Sequence, residues 1–397
     1  MAPRSVAEVD GTIARIPGLA SAHSHAFQRA LRGRAERAGD SFWSWRDAMY
    51  RVANAATPES LYAISRAAFA ELALFGATAV GEFHYLWHQP DGTPYDDRLV
   101  LADAVIRAAR DVGLRIALLR VLYHRAGAGR PAEDLQRRFC DPDVDLALSD
   151  VEDLAARYAD DEAVSVGVAP HSLRAVPASW VRAASEFCAK RDLSLHMHVA
   201  EQPREIDECL AEHGRRPIEF LDELGVIGPR FVAVHATHLT AAEASLLARA
   251  TVCVCRTTER NLGDGLPDLS ALREAGARFC VGADSHARSD PFEELRAMEL
   301  DERSRTGKRV MLWSGTDLLR VGQAGYAALG LDPADTVELD LTHPSLAGWT
   351  EETLDDAIAF GSAGAVASVT VAGRRIAAET LPLAEIQQAF RAAIAAL

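Results

Sequence analysis

Short apolar or β-branched runs recur along the chain, separated by stretches in which apolar residues return every three or four positions. The first pattern marks strands and the second amphipathic helices. Eight runs qualify as strands: Gly18 to His25, Ala77 to Tyr85, Arg115 to Tyr123, Val164 to His171, Leu193 to Glu201, Phe231 to His238, Thr251 to Thr257 and Arg278 to His286. Between them, Pro58 to Leu74 and Thr240 to Ala250 predict helices, the second opening with a Thr-x-x-Glu capping box from Thr240 to Glu243. Eight strands alternating with helices is the count for a closed parallel barrel. After about Arg320 the pattern changes, and Thr336 to Leu341 and Val366 to Ile376 predict strands of a second layer, with a turn at Ala372-Gly373. The expected organisation is α/β: a (β/α)8 TIM-like barrel over 17–335, with a small, reduced β subdomain and a C-terminal helix drawn from 1–16 and 336–397.

Composition narrows the function classes. At 397 residues, 49% hydrophobic and 25% charged, the chain has the make-up of an ordinary globular enzyme. No apolar run approaches the roughly 18 residues of a membrane span, and Met1 to Gly11 has no apolar segment of the export-signal kind. A cytoplasmic location is expected. The net charge of −15 repels polyanions, which argues against nucleic acid and anionic membranes as partners. An anionic small molecule would have to be met by locally placed arginines. The six cysteines are scattered, without zinc-knuckle spacing, and predict reduced thiols; Cys253 and Cys255 read as barrel core.

Nearly every predicted strand ends in polar chemistry: H-S-H, E-F-H-Y, L-Y-H, H-S-L-R, H-M-H-V-A-E, V-H-A-T-H, R-T-T-E-R and D-S-H. Barrel enzymes build their sites at that C-terminal rim. A two-residue period puts His23 and His25 on one face of the first strand. The fifth strand repeats the device with His196 and His198, the sixth offers His235 and His238, and the eighth ends in Asp284. Three histidines and one carboxylate drawn from this group would suit one divalent ion, Zn2+ ahead of Fe2+ or Mn2+.

The order of H-S-H-A-F-Q (His23 to Gln28), H-V-A-E-Q (His198 to Gln202), V-H-A-T-H (Val234 to His238) and D-S-H (Asp284 to His286) resembles the amidohydrolase superfamily in its mononuclear deaminase branch. Within that branch, S-F-W-S-W-R (Ser41 to Arg46), G-E-F-H-Y (Gly81 to Tyr85), H-S-L-R-A-V (His171 to Val176) and T-T-E-R-N-L-G-D-G (Thr257 to Gly265) resemble the formimidoylglutamate deiminases, over about Ile16 to Leu300. The resemblance implies that His23, His25, His198 and Asp284 ligate the metal, with Glu201 and His235 acting beside it. His196 then becomes a strand neighbour, and His238 and His286 fall outside the ligand set. It implies substrate binding by Gln28, Arg46, Tyr85, His171 and Arg174. The implied reaction is hydrolysis of N-formimino-L-glutamate to N-formyl-L-glutamate and ammonia, in histidine degradation. In it Asp284 accepts the water proton, Glu201 shuttles a proton to the leaving nitrogen and His235 stabilises the adduct. A homodimer is the expected assembly.

The residues agree with a dianionic amidine, whose carboxylates call for arginine clamps such as Arg46 and Arg174. A heterocyclic-base deaminase would ask for aromatic stacking and amide-like readout instead. A non-catalytic barrel has no need of the full ligand set. His84, facing opposite to Tyr85, is expected to pack, while Trp43 and Trp45 either shape a lid or pack the loop after the first strand. Two departures from the family pattern stand out: the stretch before His23 is short, so that either the start is truncated or the subdomain is reduced, and Arg256 occupies a position where proline is expected in the family.

Overall fold

Two short antiparallel strands, β1 (Glu8–Asp10) and β2 (Ile13–Pro17), lead directly into the first barrel strand, β3 (Leu19–Ser24). β4 (Ala77–His84) and β5 (Arg115–Leu122) follow, then a small hairpin of β6 (Arg125–Gly127) and β7 (Arg130–Pro131). β8 (Val164–Pro170), β9 (Leu195–Val199), β10 (Phe231–His235), β11 (Thr251–Val254) and β12 (Arg278–Val281) complete the barrel, and β13 (Thr336–Asp340), β14 (Val366–Val371) and β15 (Arg374–Ile376) come last. This computed structural model describes residues 5–36, 41–309 and 312–397; Met1–Arg4, where the stretch read for an export signal begins, lie outside them.

The barrel closes in the order β3-β4-β5-β8-β9-β10-β11-β12, all parallel, giving the (β/α)8 fold. Its strands are apolar on both faces because helices cover the outside and the inside is filled. Every residue of β4 and β5 is buried. The filling is made of small side chains, Ala20, Ala22, Ala79, Ala117, Cys253, Cys255 and Cys280, because the end of the helix Gly315–Leu329 enters from the N-terminal mouth with Tyr326, Ala328 and Leu329. Cys253 and Cys255 are therefore core residues, as their alternation in β11 suggested. The helix Pro58–Leu74 has the predicted limits, and Thr240 caps its helix by accepting from the Glu243 N–H.

The second layer is a five-stranded antiparallel sheet, β1-β2-β13-β14-β15, so the short N-terminal segment supplies two of its strands. Its β14–β15 turn places Ala372 and Gly373 both at positive φ, 47° and 79°, the geometry a two-residue hairpin needs. Asp335 ties this sheet to the barrel: its buried carboxylate accepts from Arg115 at 2.8 Å, Tyr326 at 2.7 Å and the Ala372 N–H at 3.0 Å. The C-terminal helix Leu383–Ala396 instead lies against the barrel helix Pro58–Leu74, seating Ala393 beside Ala63 and Ile64.

All eight barrel strands end short of the apolar pattern, four of them by a single residue and four by more. The latter four end at Val199, His235, Val254 and Val281, not at Glu201, His238, Thr257 and His286. Past three of them the backbone turns into the left-handed region at non-glycine residues: Ala200, His235, Ala236, Asp284 and His286 have φ between 48° and 69°. Such conformations cost roughly 1–3 kcal/mol each and persist where packing enforces them. Here they swing the strand-end side chains over the barrel mouth.

Close backbone approach matters most at Gly282, where β12 meets β3. A Cβ there would stand 2.7 Å from His23 Cβ and 2.8 Å from His23 O. Gly282→Ala is expected to destabilise the fold by about 1–3 kcal/mol through overpacking, read as a lowered melting temperature. An unchanged transition would contradict this packing.

Candidate active site

His23 and His25 project from the end of β3 with Ser24 between them facing the opposite way. Ser24 Oγ donates to Glu82 at 2.6 Å and lies 2.8 Å from His286 Nε2, and Glu82 also accepts from the Ala26 N–H at 2.8 Å. Glu82 and His286 thus clamp the H-S-H turn from behind; burial raises the Glu82 pKa to about 8. Asp284 joins the same turn through its backbone, its N–H donating to His23 O at 3.0 Å and its O accepting from His25 N at 2.8 Å. His198 arrives from β9.

These four side chains converge. His198 Nε2 lies 3.1 Å from His23 Nε2 and 3.4 Å from His25 Nε2, and Asp284 Oδ1 lies 3.5 Å from both His23 and His25 Nε2. Ligands at tetrahedral Zn–N distances would be about 3.3–3.4 Å apart. The tautomers sharpen the point. His25 Nδ1 is 3.0 Å from the Phe83 carbonyl and His198 Nδ1 is 3.2 Å from the His171 carbonyl. A carbonyl only accepts, so the proton sits on each Nδ1 and the Nε2 lone pairs face one another. Burial and neighbouring imidazoles lower the His25 pKa to about 3 and push those of His23 and His198 down as well, so protonation of the cluster is disfavoured. A dication between the lone pairs satisfies them all, so the cluster can hold a metal. Cys255 also comes near His235 and Asp284, with its thiol pKa raised by burial.

His235 completes the rim, with Nε2 3.6 Å from Asp284 Oδ2 and 3.9 Å from Glu201 Oε1. Its Nδ1 faces Glu259 Oε1 at 3.4 Å. Burial alone would lower its pKa, yet Glu201, Glu259 and Asp284 together raise it to about 10. Glu201 is itself raised, mainly by burial and secondarily by Asp284, against the pull of His235. Glu205 accepts from the Ala200 and Glu201 N–H groups, both at 3.1 Å, and so fixes the turn that presents Glu201. Arg256 now has a place: fully buried, it sets Nη1 3.5 Å from Glu259 Oε2 and compensates the carboxylate that orients His235.

Beside this cluster opens a pocket, and Gln28, Arg46, Tyr85, His171 and Arg174 all line it together with His25, His198, Glu201, His235 and Asp284. His23 lies beneath, fully buried. Gln28 donates to Tyr85 Oη at 3.0 Å and leaves its buried Oε1 without a partner among the described residues. Arg174 extends to Tyr123 Oη at 3.3 Å, while Arg46 rests over the Trp43 and Tyr50 rings. Trp45 lines the pocket. His196 points the other way, into the barrel floor, with Nε2 2.9 Å from Ala328 O. His238 meets the Asp264 carbonyl at 2.8 Å and His84 packs on Trp87. Sequence reasoning did not single out Glu82, Glu205, Glu259, Tyr50 or Tyr123. Glu82, Glu259 and Tyr123 did sit in strand-end runs, but nothing local marks a glutamate or a tyrosine as facing the site.

Residues 15–374 match the amidohydrolase family. The chain is 39% identical over 383 residues to a formimidoylglutamate deiminase of Pseudomonas aeruginosa, spanning 90% of this chain and 83% of the relative. It is 31% identical over 283 residues to an 8-oxoguanine deaminase of the same species, spanning 69% of this chain and 60% of that one. A crystal structure of an amidohydrolase from Brucella melitensis superposes with a TM-score of 0.89 at 32% identity, covering 98% of this chain and 95% of the other.

A ligand that binds only the folded state stabilises it by about 2.7 kcal/mol at a hundredfold excess over its Kd. With Zn2+ at that excess the protein is expected to melt several degrees higher, and His198→Ala should lose the gain. Equal stabilisation of both proteins would contradict a metal centre at this cluster.

Proposed function

The chain belongs to the amidohydrolase family, and from that premise we propose that it is a metal-dependent deiminase converting N-formimino-L-glutamate and water to N-formyl-L-glutamate and ammonia, as a step of histidine degradation. The observation that carries the substrate is the placing of Arg46 and Arg174 on the wall of the pocket that opens onto the metal cluster. In a protein of net charge −15, two guanidiniums aimed into one pocket favour a ligand with two carboxylates. The 39% identity to the Pseudomonas aeruginosa formimidoylglutamate deiminase supports the same choice.

In this reading His23, His25, His198 and Asp284 hold one divalent ion. Three imidazoles and a carboxylate favour Zn2+, with Fe2+ the alternative. When bound, such an ion lowers the pKa of a water towards about 7 and so makes a nucleophile available at neutral pH. Asp284 directs its second oxygen towards His235 and can take the water proton as the formimino carbon is attacked. Glu201, whose pKa burial raises above the usual carboxylate range, is placed to deliver a proton to the departing nitrogen. His235, kept cationic by Glu201, Glu259 and Asp284, offers Nε2–H to the negative charge that develops on the adduct. Arg46 and Arg174 take the carboxylates, and Gln28 Oε1 is open to an N–H of the amidine. Ammonia leaves through C–N cleavage. The six free cysteines suit a reducing cytoplasm, where this reading places the enzyme, as a homodimer.

Ammonia release should be seen with N-formimino-L-glutamate and not with 8-oxoguanine, guanine or cytosine; turnover of a base without turnover of the amidine would reverse the assignment. Glu201→Gln is expected to keep its metal and lose about 10²–10⁴-fold in kcat, so full turnover would remove Glu201 from the mechanism. Arg174→Met should raise KM by the equivalent of about 1.5–3 kcal/mol. An unchanged KM would count against the clamp.

A further inference from the structure

Two phenols stand between the two guanidiniums of the pocket. Tyr50 comes from the helix Phe42–Ala55 and Tyr123 from just beyond β5, and both line the cavity while being almost wholly buried. Arg46 lies over the Tyr50 ring at 5.3 Å, and Arg174 Nη1 donates to Tyr123 Oη at 3.3 Å. Behind them sits Gln136, whose amide has a fixed orientation: Oε1 accepts the Glu133 N–H at 2.9 Å, so its NH2 faces the tyrosines. That group donates to Tyr50 Oη at 3.2 Å and to Tyr123 Oη at 3.1 Å.

The hydrogen-bond count then has one solution. A phenolic oxygen offers two lone pairs and one proton. Tyr123 Oη already accepts from Gln136 and Arg174, so it has to donate, and Tyr50 Oη lies 3.4 Å away. Tyr50 Oη, accepting from Gln136 and Tyr123, has both lone pairs engaged. Its own proton has no acceptor among the described residues. Burial raises the Tyr123 pKa, so the chain remains protonated at neutral pH. A cation at the head of such a chain polarises each successive O–H towards donation.

We propose that Tyr50 is a specificity-determining residue: its hydroxyl, the last donor of the chain Arg174 to Tyr123 to Tyr50, is satisfied by a carboxylate of the dianionic substrate held beside Arg46. This rests on the N-formimino-L-glutamate reading for the identity of the substrate, and on hydrogen-bond geometry alone for the anion. A buried donor without an acceptor disfavours an uncharged or singly charged ligand that leaves it unpaired, so the device selects as well as binds.

The test uses the full-length, metal-loaded enzyme. Tyr50→Phe removes one oxygen and leaves the ring under Arg46, and Tyr123→Phe breaks the chain one link upstream. Thermal melting checks that both stay folded. For Tyr50→Phe, KM for N-formimino-L-glutamate is expected to rise about tenfold or more, as for a lost charge-assisted hydrogen bond, with a much smaller change in kcat. Tyr123→Phe should raise KM less. Selectivity over N-formimino-4-aminobutyrate or N-formimino-2-aminobutyrate, each lacking one carboxylate, should fall by a similar factor against at least one of them. Calorimetry with glutarate separates this inference from the substrate assignment. If the wild type binds glutarate, loses about tenfold in affinity on Tyr50→Phe and yet does not deaminate N-formimino-L-glutamate, the anion site stands and the substrate reading falls. Unchanged KM and unchanged glutarate affinity in folded Tyr50→Phe would overturn the proposal.

Discussion

Imidazole lone pairs and a carboxylate brought to within 3.1–3.5 Å of one another, in a place that water barely reaches, form an electrostatic arrangement that is unfavourable by itself. Everything around it acts to keep it together. Carbonyls of Phe83 and His171 fix two tautomers, the Glu82–Ser24–His286 clamp fixes the H-S-H turn, and the Asp284 backbone is bonded into that same turn. Gly282 is there because no larger residue would let β12 approach His23. A divalent cation turns the same repulsion into binding energy, which is why so many unrelated contacts converge on four side chains.

A second layer of charge carries the chemistry outward. Glu259 meets His235 Nδ1 and is in turn compensated by Arg256, while Glu205 holds the turn that presents Glu201. Below, the helix Gly315–Leu329 fills the barrel floor and receives His196, so the mouth above has a rigid base. Below and to the side, Asp335 locks the five-stranded sheet against the barrel through Arg115 and Tyr326. The pocket then supplies a pair of guanidiniums arranged around two hydrogen-bonded phenols.

Much of this was legible in the sequence, for physical reasons. Strands buried on both faces write themselves as apolar runs, and polar residues at their ends mark the rim, so the eight-stranded barrel and the histidine pairs could be read directly. Strand ends were overshot where Ala200, His235 and Asp284 adopt left-handed backbone that no local propensity foretells. The choice of His198 over His196 also needed more than spacing: both belong to one H-x-H pair, and both side chains are buried, one above the floor and one within it. Glu259 and Tyr50 stayed invisible because each acts through a partner far away in sequence, and Glu205 because nothing local marks a glutamate that turns back on the N–H groups of Ala200 and Glu201; the hydrogen-bond count that gives Tyr50 its role exists only after Gln136 and Arg174 have been brought to it. Arg256 read as an oddity in sequence and became intelligible only beside Glu259.

The metal requirement can be tested most directly by stripping the purified enzyme with a chelator and restoring Zn2+ in steps, measuring bound metal and ammonia release from N-formimino-L-glutamate on the same samples. Activity is expected to vanish with the metal and to return in proportion to it, saturating at one ion per chain, with no recovery in His198→Ala. Full turnover by metal-free protein, or a return of activity that does not follow occupancy, would contradict it.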